Sequence, residues 1–149
     1  MLDIACGTGP ATLAAAVAVG QSGRVVAVDY AEGMLAIAQQ KIEKAGHRNV
    51  ELVREDLMAL KYGPEFDAVV CVLGIFFIQD MVAAASQMWS FVRPGGHLAV
   101  ATLGADVFEP FSSRFAEAVK RQHPGMHCLG RCTVSRLYII VCCSGCQRL

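Results

Sequence analysis

Charge is scarce in this sequence. Only 17% of its 149 residues are charged, and 13 acids balance 13 Lys and Arg to a formal net charge of +0. The basic residues are spread out rather than clustered. Such a chain carries no electrostatic footprint for nucleic acid or for an anionic membrane surface. Long apolar runs are also lacking. A membrane helix needs about 20 consecutive apolar residues. The longest run here, over residues 68–78, contains Gly74 and ends at Gln79-Asp80, so no membrane span is expected. The N-terminus lacks a basic region followed by a cleavage site, and no signal peptide is read there. The cysteines do not form a secreted disulfide framework, since there are 7 and most fall after residue 127. The expected location is cytoplasmic. Internal repeats and low-complexity tracts are absent.

What is plentiful is apolar surface. Hydrophobic residues make up 54% of the chain, which suits one domain with a mostly buried, parallel sheet. Residues 1–122 alternate between strand and helix patterns. Leu2 and Ile4 read as the end of a buried strand, followed by a helix over 10–19 closed by Gly20. A second strand runs over 24–29. A helix over 31–45, with Met34, Leu35, Ile37, Ala38 and Ile42 able to share a face, ends at Gly46. Strands over 49–55 and 66–72 follow, separated by a turn at Tyr62-Gly63-Pro64-Glu65. The next helix spans 80–92, with Met81, Val82, Ala85, Met88 and Trp89 inward. Arg93-Pro94-Gly95-Gly96 reads as a turn before a strand over 97–103, and 110–122 as an amphipathic helix. The pattern predicts an α/β fold: a Rossmann-like, doubly wound, mostly parallel sheet with helices on both faces. Residues 123–149 form an atypical cysteine-rich segment with room for one further strand over 136–143.

Chemistry concentrates at the start. Gly7 and Gly9 turn the chain from the first strand into a helix opened by Pro10. A strand, a glycine turn and a helix N-terminus bring backbone N–H groups and a positive dipole end to one point. Asp3 lies at the strand's carboxyl end, where a carboxylate can meet a cation. Asp29 follows Gly9 at the end of the second strand, at a spacing that suits an acceptor for two ribose hydroxyls. Tyr30 and Met34 can flank an adenine ring. Asp56 and Leu57, after the third strand, can meet its edge. A dinucleotide would call for G-x-G-x-x-G, but position 12 is Thr. Asp3 is unhelpful to a pyrophosphate and useful to a sulfonium cation, so S-adenosyl-L-methionine (AdoMet) is the better match. A nicotinamide-linked reductase is a distant alternative.

Leu2-Asp3-Ile4-Ala5-Cys6-Gly7-Thr8-Gly9 resembles the first motif of class I AdoMet-dependent methyltransferases. Later segments resemble their other motifs in order: 28–35, Glu55-Asp56-Leu57, 66–71 and 92–98. The alanine-cysteine version is similar to the ubiquinone/menaquinone-biosynthesis (type 11) group. The resemblance covers residues 1–122. It implies that Asp3, Ala5, Gly7 and Gly9 surround the methionine part of AdoMet. It also implies that Asp29 holds the ribose, that Tyr30 and Met34 border the adenine, and that Asp56 and Leu57 recognise its edge. Val72, with Leu73, would approach the amino group through backbone. The implied activity is methyl transfer to a small-molecule acceptor by in-line displacement. No catalytic residue is assigned, because His97 and His123 qualify as bases by type only.

Ala5 stands where the family usually has glycine. Against the family pattern the chain also reads as truncated at both ends, with a truncated or frame-altered tail. The alternative reading is therefore an AdoMet-binding fragment or pseudoenzyme without a complete acceptor pocket, covered by a partner chain or a second copy. Cys128, Cys132, Cys143 and Cys146 could ligate zinc, but incidental thiols are the favoured reading and no metal site is assigned. Cys6 and Cys71 read as small packing residues.

Overall fold

The computed structural model describes residues 1–105, 121 and 134–143, with side chains over 1–103 and at 121. The chain divides into two compact units, Met1–Ala101 with Ile139–Leu149, and Thr102–Tyr138. The elements are β1 (Leu2–Ile4), α1 (Pro10–Val19), β2 (Val25–Asp29), α2 (Glu32–Ala45), β3 (Val50–Arg54), β4 (Phe66–Val72), α3 (Met81–Ser90), β5 (Val92–Ala105) and β6 (Val134–Cys143). Short 3-10 turns fall at Leu57–Ala59 and Ile75–Phe77.

The strands lie in the order β3-β2-β1-β4-β5-β6. The pairs β1–β2, β2–β3, β1–β4 and β4–β5 are all parallel. The chain therefore winds outward from β1 to β3, then returns to β4 on the other side of β1. That reversal between β1 and β4 opens a crevice at the carboxyl ends of the central strands.

Side-chain alternation in the strands explains why both faces are covered. Leu2, Ile4, Val26, Val28, Val69 and Cys71 share one core with Met88 and Phe91 from the α3 side. The alternate residues Val25 and Ala27 join separate cores, Val25 with Ala15 and Ala16 of α1, Ala27 with Leu35 of α2. So α1 and α2 cover one face and α3 the other. Asp3 shares the α1 face, where Thr12 meets it. Each fully buried aliphatic or aromatic side chain contributes about 1.5–3 kcal/mol, and the central strands supply most of them.

Three expectations need correcting. The inward residues of α3 are Ala84 and Met88, whereas Val82 is 79% and Met81 51% exposed. The helix is apolar nearly all round, so composition does not fix its phase. On α2 the buried stripe is Leu35, Ala38 and Ile42, and Met34 and Ile37 lie outside it. Arg93–Gly96 is not a turn between elements. It is an irregularity within β5, whose register jumps from Phe66↔Val92 to Ala68↔His97. An added Cβ at Gly96 would come within 2.8 Å of the Asp67 carbonyl, so glycine permits this close approach. The helix expected over 110–122 lies outside the described residues apart from Arg121, as do Cys128, Cys132 and Cys146. The strand expected over 136–143 is β6.

Candidate functional site

The loop after β1 is the first wall of the crevice. Ala5, Gly7 and Gly9 all have positive φ, at 54°, 56° and 80°. Cys6 N–H donates to the Val28 carbonyl at 3.0 Å, and Gly9 N–H to the Cys6 carbonyl at 2.9 Å. Pro10 then opens α1, where its missing N–H costs nothing. A Cβ added at Gly7 would meet no atom of the described residues within 4 Å. It would project into free space, where a ligand could approach the backbone.

Asp29, at the end of β2, fastens this loop. Gly7 N–H donates to its Oδ2 at 2.7 Å, and Ala31 N–H to its Oδ1 at 2.8 Å. Beyond β3, Asp56 caps the turn that follows by accepting from Met58 N–H at 2.7 Å. Leu57 is buried beside it. Across the crevice, β4 ends at Val72, and Leu73 takes a positive φ of 57°. Leu73 N–H is held by the Ala101 carbonyl at 2.8 Å.

These parts enclose an open cleft of about 620 Å³. Eight of the ten sequence-derived positions line it: Ala5, Gly7, Asp29, Tyr30, Met34, Asp56, Leu57 and Val72. Asp3 and Gly9 do not. Gly9 packs against Ala38, its ideal Cβ position 3.3 Å from the Ala38 methyl. Asp3 is 1% exposed and lies beneath the loop. Thr12 Oγ1 donates to its Oδ2 at 2.5 Å, and its Oδ1 has no hydrogen-bond partner among the described residues. Burial, with help from the Asp29 charge, lifts the Asp3 carboxyl to about 6 against the pull of Thr12. The sequence reading missed Gly74, Phe77 and Ile78, which complete the β4 side of the cleft. The apolar run over 68–78 was the available signal, since its last residues overshoot the strand.

The remaining candidates separate cleanly. His97 pairs with Ala68, four residues along β4 from Val72. At about 3.3 Å per residue that is about 13 Å from the cleft end of the strand, and His97 is exposed there. It is a strand residue with no part in the cleft. His123 lies outside the described residues. Cys6 lines the cleft, but burial pushes its thiol up to about 12, and that of Cys71 up to about 11. Neither is a thiolate near neutral pH, so neither is a nucleophile. Alkylation at pH 7.5, mapped by peptide mass spectrometry, should therefore be more than about tenfold slower at Cys6 and Cys71 in the folded chain than in denaturant. Equal rates would contradict their packing role.

A family profile described as a methyltransferase domain matches residues 1–96. The chain belongs to this family. The match contains every residue that lines the cleft. The demethylmenaquinone methyltransferase of Shouchella clausii (strain KSM-K16) is 38% identical over 98 residues, covering 65% of this chain and 42% of that protein. The chain thus spans less than half the length of that relative. Among solved structures, phosphoethanolamine N-methyltransferase 2 of Haemonchus contortus, in complex with S-adenosyl-L-methionine, superposes with a TM-score of 0.66. It is 27% identical and covers 78% of this chain and 28% of that one. A SAM-dependent methyltransferase from Aquifex aeolicus shares the fold, at a TM-score of 0.64 and 20% identity, over 85% of this chain and 71% of its own. The methyltransferase-domain assignment and the parallel α/β architecture therefore agree.

Proposed function

We propose that the cleft of this methyltransferase domain binds AdoMet and that the domain transfers its methyl group to a small-molecule acceptor. One observation carries the choice of ligand. The Gly7 N–H, which a phosphate cradle would offer to its ligand, is given to Asp29. With Asp3 just beneath, the loop is flanked by two carboxyl groups. That field opposes a pyrophosphate and favours a cation. The open space over Gly7 fits a ligand that comes close to the loop backbone without a phosphate to be cradled.

In this reading Asp29 accepts the ribose hydroxyls, and Tyr30 and Met34 border the adenine. Asp56 accepts from the adenine amino group through its carboxylate, beside Leu57. Val72 meets the methionine end, while Ala5 and Gly7 let it approach the backbone closely. Leu73, Phe77 and Ile78 form an apolar wall that limits water near the methyl group. When bound, AdoMet supplies an activated methyl on a sulfonium centre. The chain's task is then orientation and water exclusion, which can supply several kcal/mol of barrier lowering. The relative's named substrate, demethylmenaquinone, is the first acceptor to test, followed by a small-molecule extract. With methyl-labelled AdoMet, label should appear in a small organic product. Tight AdoMet binding without transfer to any acceptor would reduce the chain to a cofactor-binding domain.

A further inference from the structure

We propose that Asp29 is a latch for the glycine loop as well as a ligand acceptor. It sets the loop before any ligand arrives. Its two oxygens are each engaged by backbone, Oδ2 by Gly7 N–H at 2.7 Å and Oδ1 by Ala31 N–H at 2.8 Å. The first bond joins residues 22 apart in sequence and closes the loop onto the end of β2. The second ties the same carboxylate to the residue that precedes α2. Bonds to an ionised acceptor are short and about twice as strong as neutral ones. Other ties from outside the loop, among the described residues, are a backbone bond from Cys6 to Val28 and an exposed lysine, Lys41, whose Nζ donates to the Thr8 carbonyl at 3.1 Å and to Thr8 Oγ1 at 3.0 Å. Asp29 is the anionic anchor among them and the one that bonds the Gly7 amide itself, with open space above that glycine.

The acceptor count sharpens the point. A carboxylate offers about four lone-pair sites. Two are taken by Gly7 and Ala31, and two remain, one for each hydroxyl of a vicinal diol. The latch and the ligand contact are therefore compatible on one side chain, and the fixed carboxylate is already oriented for the diol. Asparagine cannot replace it. Its single oxygen can accept from one of the two N–H groups, while its NH₂ must face the other donor. A ligand thus gains from Asp29 in two ways: by direct contact and by meeting a loop that needs no ordering on binding.

The ligand half of this inference rests on the AdoMet reading of the cleft; the latch itself does not. Two measurements on the full chain separate them. In the ligand-free protein, amide exchange at Gly7, followed by NMR, should accelerate about tenfold or more in Asp29→Ala. Asp29→Asn is the second variant, with faster exchange expected at Gly7 or Ala31. Unchanged exchange at both amides would overturn the latch. Calorimetry then compares adenosine with 2′,3′-dideoxyadenosine. The latch predicts that Asp29→Ala weakens both ligands, adenosine more. If the dideoxy ligand binds wild type and Asp29→Ala equally, Asp29 is a diol acceptor only and the inference fails. If wild type binds neither nucleoside, the nucleoside reading of the cleft fails, and the exchange measurement still decides the latch.

Discussion

Gly74→Ala should lower the melting temperature by on the order of 10 °C. Gly74 has a φ of −109°, which any residue adopts, so backbone freedom is not the reason for glycine here. Space is. An added Cβ would stand 2.3 Å from the Ala5 Cβ and 3.1 Å from the Cys71 Sγ. Neither neighbour can easily retreat. Cys71 is fully buried, and Ala5 sits at a φ of 54° in a loop fastened on both sides. Overpacking of this kind costs about 1–3 kcal/mol, occasionally more, and the upper end applies to a clash with so little room. For a chain of this size about 3 kcal/mol corresponds to roughly 10 °C. Ala5→Gly removes the nearer obstacle and relieves left-handed strain worth about 1 kcal/mol. The double variant Ala5→Gly/Gly74→Ala should therefore recover most of the loss. A single variant that melts like wild type, or a double variant no better than the single, would contradict the account. Sequence alone marks Ala5 as a departure from a glycine. The structure supplies the reason it is tolerated: the methyl occupies the place that Gly74 leaves empty.

The second large effect concerns Asp3 and pH. Its folded carboxyl titrates at about 6 rather than 3.8, chiefly through burial. The groups around it are Thr12 on α1, which lowers it, and Asp29, which raises it, while Cys6 and Cys71 feel its charge and stay protonated. The sign follows from linkage. Between pH 4 and 6 the unfolded chain has released this proton while the folded chain still holds it, so rising pH favours unfolding. The native state should lose on the order of 3 kcal/mol from this group across that window. Asp3→Asn removes the titration. Whatever its stability at pH 4, its stability relative to wild type should rise by that amount by pH 7. Parallel pH profiles for the two proteins would rule out a buried, ionising Asp3. Its Oδ1 has no hydrogen-bond partner among the described residues, so nothing on that oxygen offsets the cost of burying the charge.

Much of the fold was legible. Pro10 and Gly20 bound α1 as read from sequence, and Gly46 closes α2. The strand over 66–72 matches β4 end for end. These succeed because turn formers and period-2 apolar runs act locally. The phase of α3 was not legible, since Met81, Val82, Ala84, Ala85, Met88 and Trp89 offer several apolar faces, and only packing against β4 and Phe91 selects one. Arg93–Gly96 carries turn residues, yet it bulges within a long strand because the β4 edge continues to pair on both sides of it. For the site, residues read as strand ends landed on the cleft wall, as Asp29, Asp56 and Val72 did. Asp3 and Gly9 did not, because a motif gives order along the chain and not depth. Asp3 points to the α1 face of the sheet, under the loop, and Gly9 is taken up by α2. The Asp29–Gly7 bond had no sequence signature at all, since it depends on the register that sets β1 beside β2.

The central claim is that this cleft is an AdoMet site, and isothermal titration of the purified chain with AdoMet and S-adenosylhomocysteine tests it most directly. Saturable one-to-one binding is predicted for both, weakened at least about tenfold by Asp29→Ala, which removes the charged acceptor for the ribose. No heat of binding from either ligand at millimolar concentration would contradict it.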